Sequence, residues 1–279
     1  MILFQTLRRA VTGRARTLAA VLSLTAVVLF ASGCNKLKAR DNLNNGVNAF
    51  KAGNYTGAAD FFKMAIEQDP ELPVARLYLA TAYMQQFVPG TDTPENKQFE
   101  ESAMREFNEV LKTDPKNGLA TASIANLYYQ TKDFANAETW YKKVVDNDPK
   151  NKEGYYTLGV IAWTEFVAPD REARIANNMK PEDPGPLKDA KKRAELKEKY
   201  WASLTQGIEY EKKALEIDPE YENAMSYMNL LVRYRADLQD TKEAYDADRK
   251  EADGWVDKAL QTTKIKAERK AANPNAKTQ

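Results

Sequence analysis

The side chains that most often carry enzyme chemistry are nearly absent from this sequence. Its 279 residues include no histidine and a single cysteine, Cys34. Ser-His-Asp and Cys-His nucleophiles are therefore excluded, as is a zinc site built from histidine and cysteine. Carboxylate pairs such as Glu100/Glu101 and Asp146/Asp148 occur, but they fall on charged stretches that are typical of solvated helix faces. Without a nucleophile elbow, a phosphate-binding loop or a metal-ligand motif, we expect no enzymatic activity and no cofactor.

The chemistry that the sequence does predict is covalent modification of Cys34. Residues 1–33 carry four arginines and no acidic residue, and they include an apolar run over residues 18–30. That run is short for a membrane span of ~20 residues but typical of a secretory signal peptide. It leads into Ala-Ser-Gly-Cys at residues 31–34, which resembles the lipobox of bacterial lipoproteins. In that family the cysteine is diacylated and becomes the mature N-terminus; Ala31 replaces the leucine that is usual there.

The lipoprotein resemblance implies removal of residues 1–33, a covalent lipid on Cys34, and a polar acylated tether at residues 34–40. By analogy with proteobacterial sorting, Asn35 after the cysteine implies the periplasmic face of the outer membrane. Two alternatives to a lipoprotein signal stay open: an ordinary cleaved signal with an unrelated cysteine, and a twin-arginine signal. Removing the signal leaves 37 Lys and Arg against 40 Asp and Glu, a net charge of −3. The sequence therefore carries no basic field that would attract nucleic acid.

Four Asp-Pro steps divide the rest of the chain into repeated units. They are separated by 45, 34 and 70 residues, which equals a 34-residue period with insertions of 11 and 36 residues. Each step follows apolar residues of helical period, and proline stops the helix. Small residues such as Gly46 and Gly159 recur where two antiparallel helices must nearly touch. The four steps are Asp69-Pro70, Asp114-Pro115, Asp148-Pro149 and Asp218-Pro219.

This register resembles the tetratricopeptide repeat (TPR) family, whose units are 34-residue helix pairs. The resemblance implies an all-α, right-handed α-solenoid of about five helix pairs over residues 41–270, ending in a polar capping helix. Residues 271–279 are expected to be disordered. The extra residues should lie between the two helices of repeats two and four, at about 87–98 and 167–200. Whether these insertions only stabilise the packing or form a partner-binding rim stays open.

Local signals predict several helix boundaries. In repeat two, the first helix should run from Val74 to Phe87, and Thr93 should cap the second helix with Pro94 in its first position. In repeat four, prolines exclude a helix around residues 181–186, and one long helix should follow over residues 187–217. The last helix is expected at about residues 242–266.

In TPR arrays the first helices of successive repeats line a concave groove that binds a peptide or a helix. The resemblance therefore implies a scaffold or adaptor in the cell envelope, with an envelope protein as its partner. The alternative is a glycan- or solute-binding lipoprotein with Tyr129, Tyr156 and Trp163 as stacking platforms. Burial of Tyr156 and Trp163 under the second insertion would leave them with a packing role only. The implied groove positions, rich in hot-spot residue types, are Phe50, Leu77, Met84, Asn126, Tyr129, Tyr156, Trp163, Thr164, Arg233 and Tyr234.

Overall fold

The computed structural model of the protein describes residues 35–180, 183 and 185–272. Within these residues the chain forms ten α-helices and no β-strand, which confirms the predicted all-α class. Cys34, the predicted signal at 1–33 and most of the predicted tail lie outside the described residues. The helices are α1 (residues 35–51), α2 (Tyr55–Gln68), α3 (Pro73–Met84), α4 (Pro94–Thr113), α5 (Gly118–Gln130), α6 (Phe134–Asn147), α7 (Lys152–Ala176), α8 (Ala190–Ile217), α9 (Glu222–Ala236) and α10 (Lys242–Ala272).

The Asp-Pro steps end helices as predicted. Proline supplies no N–H and disfavours a helical conformation in the residue before it, so the aspartate becomes the last capping position. Polar side chains then begin the next helices: the Asn151 side chain accepts a hydrogen bond from the backbone N–H of Gly154 at 2.8 Å. The C-cap residues of α2, α4, α6 and α8 are Asp69, Asp114, Asp148 and Asp218.

The chain divides between Pro115 and Lys116 into two compact units. Unit 1 contains α1 to α4, and a core cluster that includes Phe62 and Leu79 lies between its helices. Unit 2 contains α5 to α10, in which α5 packs on α6, α7 on α8 and α9 on α10. The ten helices thus form the five pairs that the repeat register predicted.

Small residues allow the paired helices to approach closely. A side chain at Gly46 of α1 would fall 2.4 Å from the Phe62 ring of α2, and one at Gly159 of α7 would fall 2.2 Å from the Glu211 carboxyl of α8. Either position would need its neighbour to move before it accepted any larger residue. The role that the sequence predicted for these two glycines is confirmed.

The first insertion is a short loop held by Asn96, whose side chain is buried. This side chain accepts a hydrogen bond from the Val88 N–H at 2.7 Å and donates to the carbonyls of Val88 and Thr91 at 3.0 and 2.8 Å. Thr93 caps α4 as predicted, by accepting from the N–H of Asn96 at 3.2 Å. Part of the predicted range 87–98 therefore belongs to the first turns of α4.

Three predicted boundaries at helix ends are wrong. Helix α3 ends at Met84 instead of Phe87, because the chain turns there and buries the Phe87 side chain. Residues 35–40, expected to be part of a tether, are the first turns of α1, where Ala39 is fully buried. Helix α10 continues to Ala272, since no proline or glycine interrupts its last turns, so the first two residues of the predicted tail are helical.

The second insertion contains more helix than predicted. Helix α7 does not end near residue 167 but continues through Pro169 to Ala176. Arg174 holds these last turns in place, because its buried guanidinium pairs with Asp170 one turn earlier at 3.1 Å and with Asp237 after α9. Helix α8 begins at residue 190 instead of 187, because the N–H of Leu187 donates to the carbonyl of Asp237, the C-cap residue of α9, at 3.0 Å.

The second insertion also packs into the core of unit 2. Met179, Leu187 and Leu196 are buried in the same cluster as the apolar residues of α7, α8 and α9. The buried guanidinium of Arg174 joins Asp170 to Asp237 at the end of α9, with a distance of 2.5 Å to the latter. These contacts support the interpretation that the insertion stabilises the packing of unit 2.

Candidate functional site

Five half-exposed aromatic residues of unit 2, Tyr129, Tyr156, Trp163, Tyr227 and Tyr234, form what we name the aromatic face. They belong to α5, α7 and α9, the first helices of their pairs. Four of the rings meet edge to face: the centroids of Tyr156 and Tyr227 are 5.3 Å apart, those of Trp163 and Tyr227 5.5 Å, and those of Trp163 and Tyr234 6.3 Å. The fifth, Tyr129, is close enough to interact electrostatically with Tyr156 and Tyr227, and its own ring contact is with Phe134. Edge-to-face contacts of this kind are favourable and fix the rings relative to one another.

Helical spacing places these rings on one side of their helices. Tyr156 and Trp163 are seven residues apart on α7, and Tyr227 and Tyr234 are seven apart on α9. Seven residues correspond to about two helical turns, so each pair lies on a single stripe. The other side of α9 is anchored by Met228, which is fully buried in the unit 2 core. The rings therefore stand on a packed support.

The phenols of the aromatic face are neutral hydrogen-bonding groups. Burial is the main reason that the pKa of Tyr156 lies well above its ordinary value, and the neighbouring Tyr227 and Tyr221 add to this effect. Burial also raises the pKa of Tyr129, Tyr227 and Tyr234. The face consequently offers uncharged rings with hydroxyl groups at any pH near neutrality.

One polar group at this face lacks a partner. The Trp163 indole N–H is buried, and no acceptor lies within reach among the described residues. An unpaired buried donor costs about 1–3 kcal/mol, which is why most buried indoles are paired.

Residues 101–152, which extend from within α4 to the first residue of α7, match the family model "Tetratricopeptide repeat". Solved structures of TPR type resemble about four fifths of the chain. The fold is of the TPR type. No curated protein matches the sequence.

The structural neighbours share the TPR fold at low sequence identity. A crystal structure of MamA protein is 15% identical with a TM-score of 0.54, and the match covers 83% of this chain and 94% of that chain. MamA from Desulfovibrio magneticus RS-1 is 17% identical with a TM-score of 0.53, over 82% and 96% of the two chains. YrrB, described as a TPR protein with an unusual peptide-binding site, is 14% identical with a TM-score of 0.50, over 79% and 84%. These identities relate the folds alone.

All ten residues that the TPR resemblance assigns to a groove are partly exposed, and unit 2 gathers four of them into the aromatic face. The other three predicted groove residues of unit 2 form hydrogen bonds or ion pairs within the unit. Asn126 accepts from Gln130 at 2.9 Å, Thr164 donates to the Val160 carbonyl at 2.7 Å, and Arg233 pairs with Asp253.

The remaining three predicted positions lie in unit 1. Phe50 of α1 contacts the Tyr55 ring edge-on at 5.1 Å and packs against the unit 1 core. Leu77 and Met84 lie partly exposed on α3. They are part of unit 1's own surface, and the described aromatic cluster does not include them.

Tyr227 is the member of the aromatic face that sequence reasoning missed. It contacts both Tyr156 and Trp163. Its spacing from Tyr234 equals the spacing of Tyr156 from Trp163, and that repetition is a signal that identifies it. The rings that pack on Tyr156 and Trp163 come from α9 and its N-cap Tyr221. Both residues also pack against the core cluster of unit 2, which includes Met179, Leu187 and Leu196 of the second insertion.

Two further findings hold for the part of the chain that the structure describes, residues 35–180, 183 and 185–272. They include no group of three or more His, Cys, Asp or Glu side chains placed to hold a metal ion. None of their helices is long and apolar enough to span a membrane.

Proposed function

We propose that this protein is a non-catalytic scaffold or adaptor that binds another protein through the aromatic face of unit 2. The observation that carries this proposal is the cluster of four partly exposed aromatic rings on α7 and α9, with Tyr129 of α5 beside it. Tyrosine and tryptophan are enriched in binding hot spots because they bury a large area and keep a polar group for hydrogen bonding. A peptide or a helix of the partner is the ligand that such an elongated face fits.

The geometry favours binding in a second way. The rings hold one another in edge-to-face contacts, and their helices are fixed by buried residues such as Met228. A surface that is already ordered loses little conformational entropy when it binds, so more of the contact energy appears as affinity. YrrB, which has the same type of fold, carries a peptide-binding site according to its description. That precedent supports a polypeptide ligand for this chain.

The proposal is tested by cross-linking and pull-down of the full-length protein from its native membranes. We expect the Tyr129→Ala/Tyr156→Ala/Trp163→Ala variant to recover at least about tenfold less of one abundant partner than wild type, because hot-spot truncations typically cost 2 kcal/mol or more each. Circular dichroism and the melting temperature establish that each variant is folded.

The matched control is Trp140→Ala/Tyr210→Ala/Trp255→Ala. It also removes three partly exposed aromatic side chains from unit 2, but from α6, α8 and α10, the second helices of their pairs. The control should retain the partner. An unchanged partner list for the aromatic-face variant would contradict the proposal. Absence of any protein partner, together with thermal stabilisation by a glycan, would instead favour the stacking-platform alternative.

We also propose that the protein is anchored in the bacterial envelope by a lipid on Cys34, with the outer membrane's periplasmic face as its location. The basis is the sequence around Cys34: a basic segment, an apolar run and small residues before a lone cysteine. A diacylated N-terminus gives stable anchoring, because two acyl chains bind a membrane far more firmly than one.

Replacing Cys34 with serine should prevent lipid attachment and leave the precursor unprocessed, with residues 1–33 still in place. Metabolic labelling with an alkyne-bearing palmitate should mark wild type and not Cys34→Ser, and the variant should migrate as the larger precursor on a denaturing gel. A Cys34→Ser protein that is labelled and processed like wild type would refute the anchor without bearing on the aromatic face.

A further inference from the structure

Unit 2 contains a cavity of about 640 Å³ beside the aromatic face. Its walls come from the second half of α7, the loop that follows it, and helices α9 and α10. Tyr234 belongs both to this cavity and to the aromatic face. The volume falls within the range of small-molecule sites, about 300–1,000 Å³. The second insertion therefore builds a pocket in addition to packing into the core.

The cavity is lined by four arginines and three aspartates, and four of these seven residues form ion pairs. Arg174 bridges the two carboxylates of Asp170 and Asp237. Arg233 pairs with Asp253, outside the cavity. Three charged residues of the lining remain outside these ion pairs: the carboxylate of Asp183 and two arginines.

Arg171 and Arg249 are the two remaining cations. Neither forms a salt bridge with any described residue, and they lie on different walls, α7 and α10. Their charges reach groups of the pocket. Burial raises the pKa of both Tyr234 and Asp237, and a nearby guanidinium opposes that rise in each case: Arg171 at Tyr234 and Arg249 at Asp237. Two unpaired guanidiniums in one concavity are the usual partners of a carboxylate, which each can bind through paired N–H groups.

The rest of the lining is apolar apart from Tyr234 and two carboxylates, of which Asp183 accepts a hydrogen bond from the Lys180 N–H at 2.9 Å. Ile175, Met179 and Leu230 supply aliphatic surface, and Ile175 is 67% exposed although it is large and apolar. The other carboxylate is Asp170, which is 3% exposed and whose Oδ1 has no hydrogen-bond donor among the described residues. The pocket thus combines an apolar wall, unpaired cations and an acceptor that lacks a donor.

We propose that this pocket binds a carboxylate that carries an apolar group, with Arg171 and Arg249 as its anion partners. The ligand is either a small free acid or the carboxyl end of a polypeptide with an apolar last residue. The second source also brings an amide N–H of the kind that Asp170 Oδ1 lacks. Small soluble acids test this site without any protein partner of the aromatic face.

The test is a ligand-observed NMR titration of the full-length protein with two acids, isovalerate and N-acetyl-leucine, and with their neutral amides. We expect each acid to bind at least about tenfold more tightly than its amide, the size of one charge-assisted hydrogen bond. Arg171→Ala/Arg249→Ala should lose the same factor. Lys188→Ala/Lys250→Ala removes two exposed lysines outside the pocket and should bind like wild type.

Every result of this titration either supports or overturns the proposed carboxylate site. Tighter binding of N-acetyl-leucine, abolished in Asp170→Ala, would identify a polypeptide carboxyl end as the source; equal binding of both acids would identify a free acid. The proposal is overturned if neither acid binds up to millimolar concentration, if the amides bind as well as the acids, or if Arg171→Ala/Arg249→Ala binds normally while folded. None of these results depends on whether the aromatic face has a protein partner.

Discussion

Replacing Glu211 with glutamine should stabilise the protein at neutral pH by about 3 kcal/mol and remove most of its loss of stability in alkali. Glu211 of α8 is fully buried against Gly159 of α7, and neither of its carboxyl oxygens has a hydrogen-bond partner among the described residues. Burial raises the pKa of this carboxyl from 4.5 to about 10. It is therefore protonated in the folded protein at neutral pH and ionised in the unfolded chain.

The direction of the pH effect follows from that difference. Above the ordinary pKa the unfolded chain releases a proton that the folded protein keeps, so the free energy of unfolding falls as pH rises from about 5 to about 10. Glutamine cannot ionise, so the variant should lose this slope. Urea unfolding at a series of pH values measures it, with Glu198→Gln, an exposed change on the same helix, as the control. An unchanged slope in Glu211→Gln would show that another group is responsible.

Replacing Arg174 with methionine should destabilise the protein by about 3–5 kcal/mol, because it leaves two buried carboxylates without their counter-ion. Asp170 and Asp237 are 3% and 7% exposed, and Arg174 contacts both. Burial and the neighbouring Asp237 already raise the pKa of Asp170 to about 6 in the intact cluster. Without the guanidinium, both carboxylates should bind protons still more readily.

Two features separate this result from a simple packing defect. The destabilisation should shrink as pH falls toward the ordinary pKa of aspartate, since protonation removes the unpaired charge in the folded state. Adding Asp170→Asn and Asp237→Asn to Arg174→Met should recover most of the lost stability, whereas Arg171→Met, an exposed change on the same helix, should cost little. A loss that is independent of pH and not recovered by the asparagines would contradict the charge explanation.

The helix pairs could be predicted from the sequence because their signals are local. An Asp-Pro step ends a helix through the geometry of proline itself, and a glycine such as Gly46 records a close approach that any larger residue would prevent. Ring positions on α7 and α9 likewise follow from helical spacing. These features need no knowledge of distant parts of the chain.

The features that escaped prediction depend on contacts between distant segments. Helix α7 continues past Pro169 because Arg174 meets Asp237, which lies 63 residues further along the chain. The pocket exists because the end of α7 meets α9 and α10, and the buried state of Glu211 depends on α7 covering it. Periodicity assigns a residue to a face of its helix, but it does not say what that face contacts.

Site-specific photo-cross-linking tests the central claim, that the aromatic face binds a protein. Tyr227 lies in the middle of that face, and Tyr210 of α8 is a partly exposed tyrosine that contacts Tyr155 outside it. Each is replaced in turn by p-benzoylphenylalanine in the full-length protein, and membranes are irradiated. The account predicts that position 227 cross-links to one specific protein and position 210 does not. The same products from both positions, or none from position 227, would contradict it.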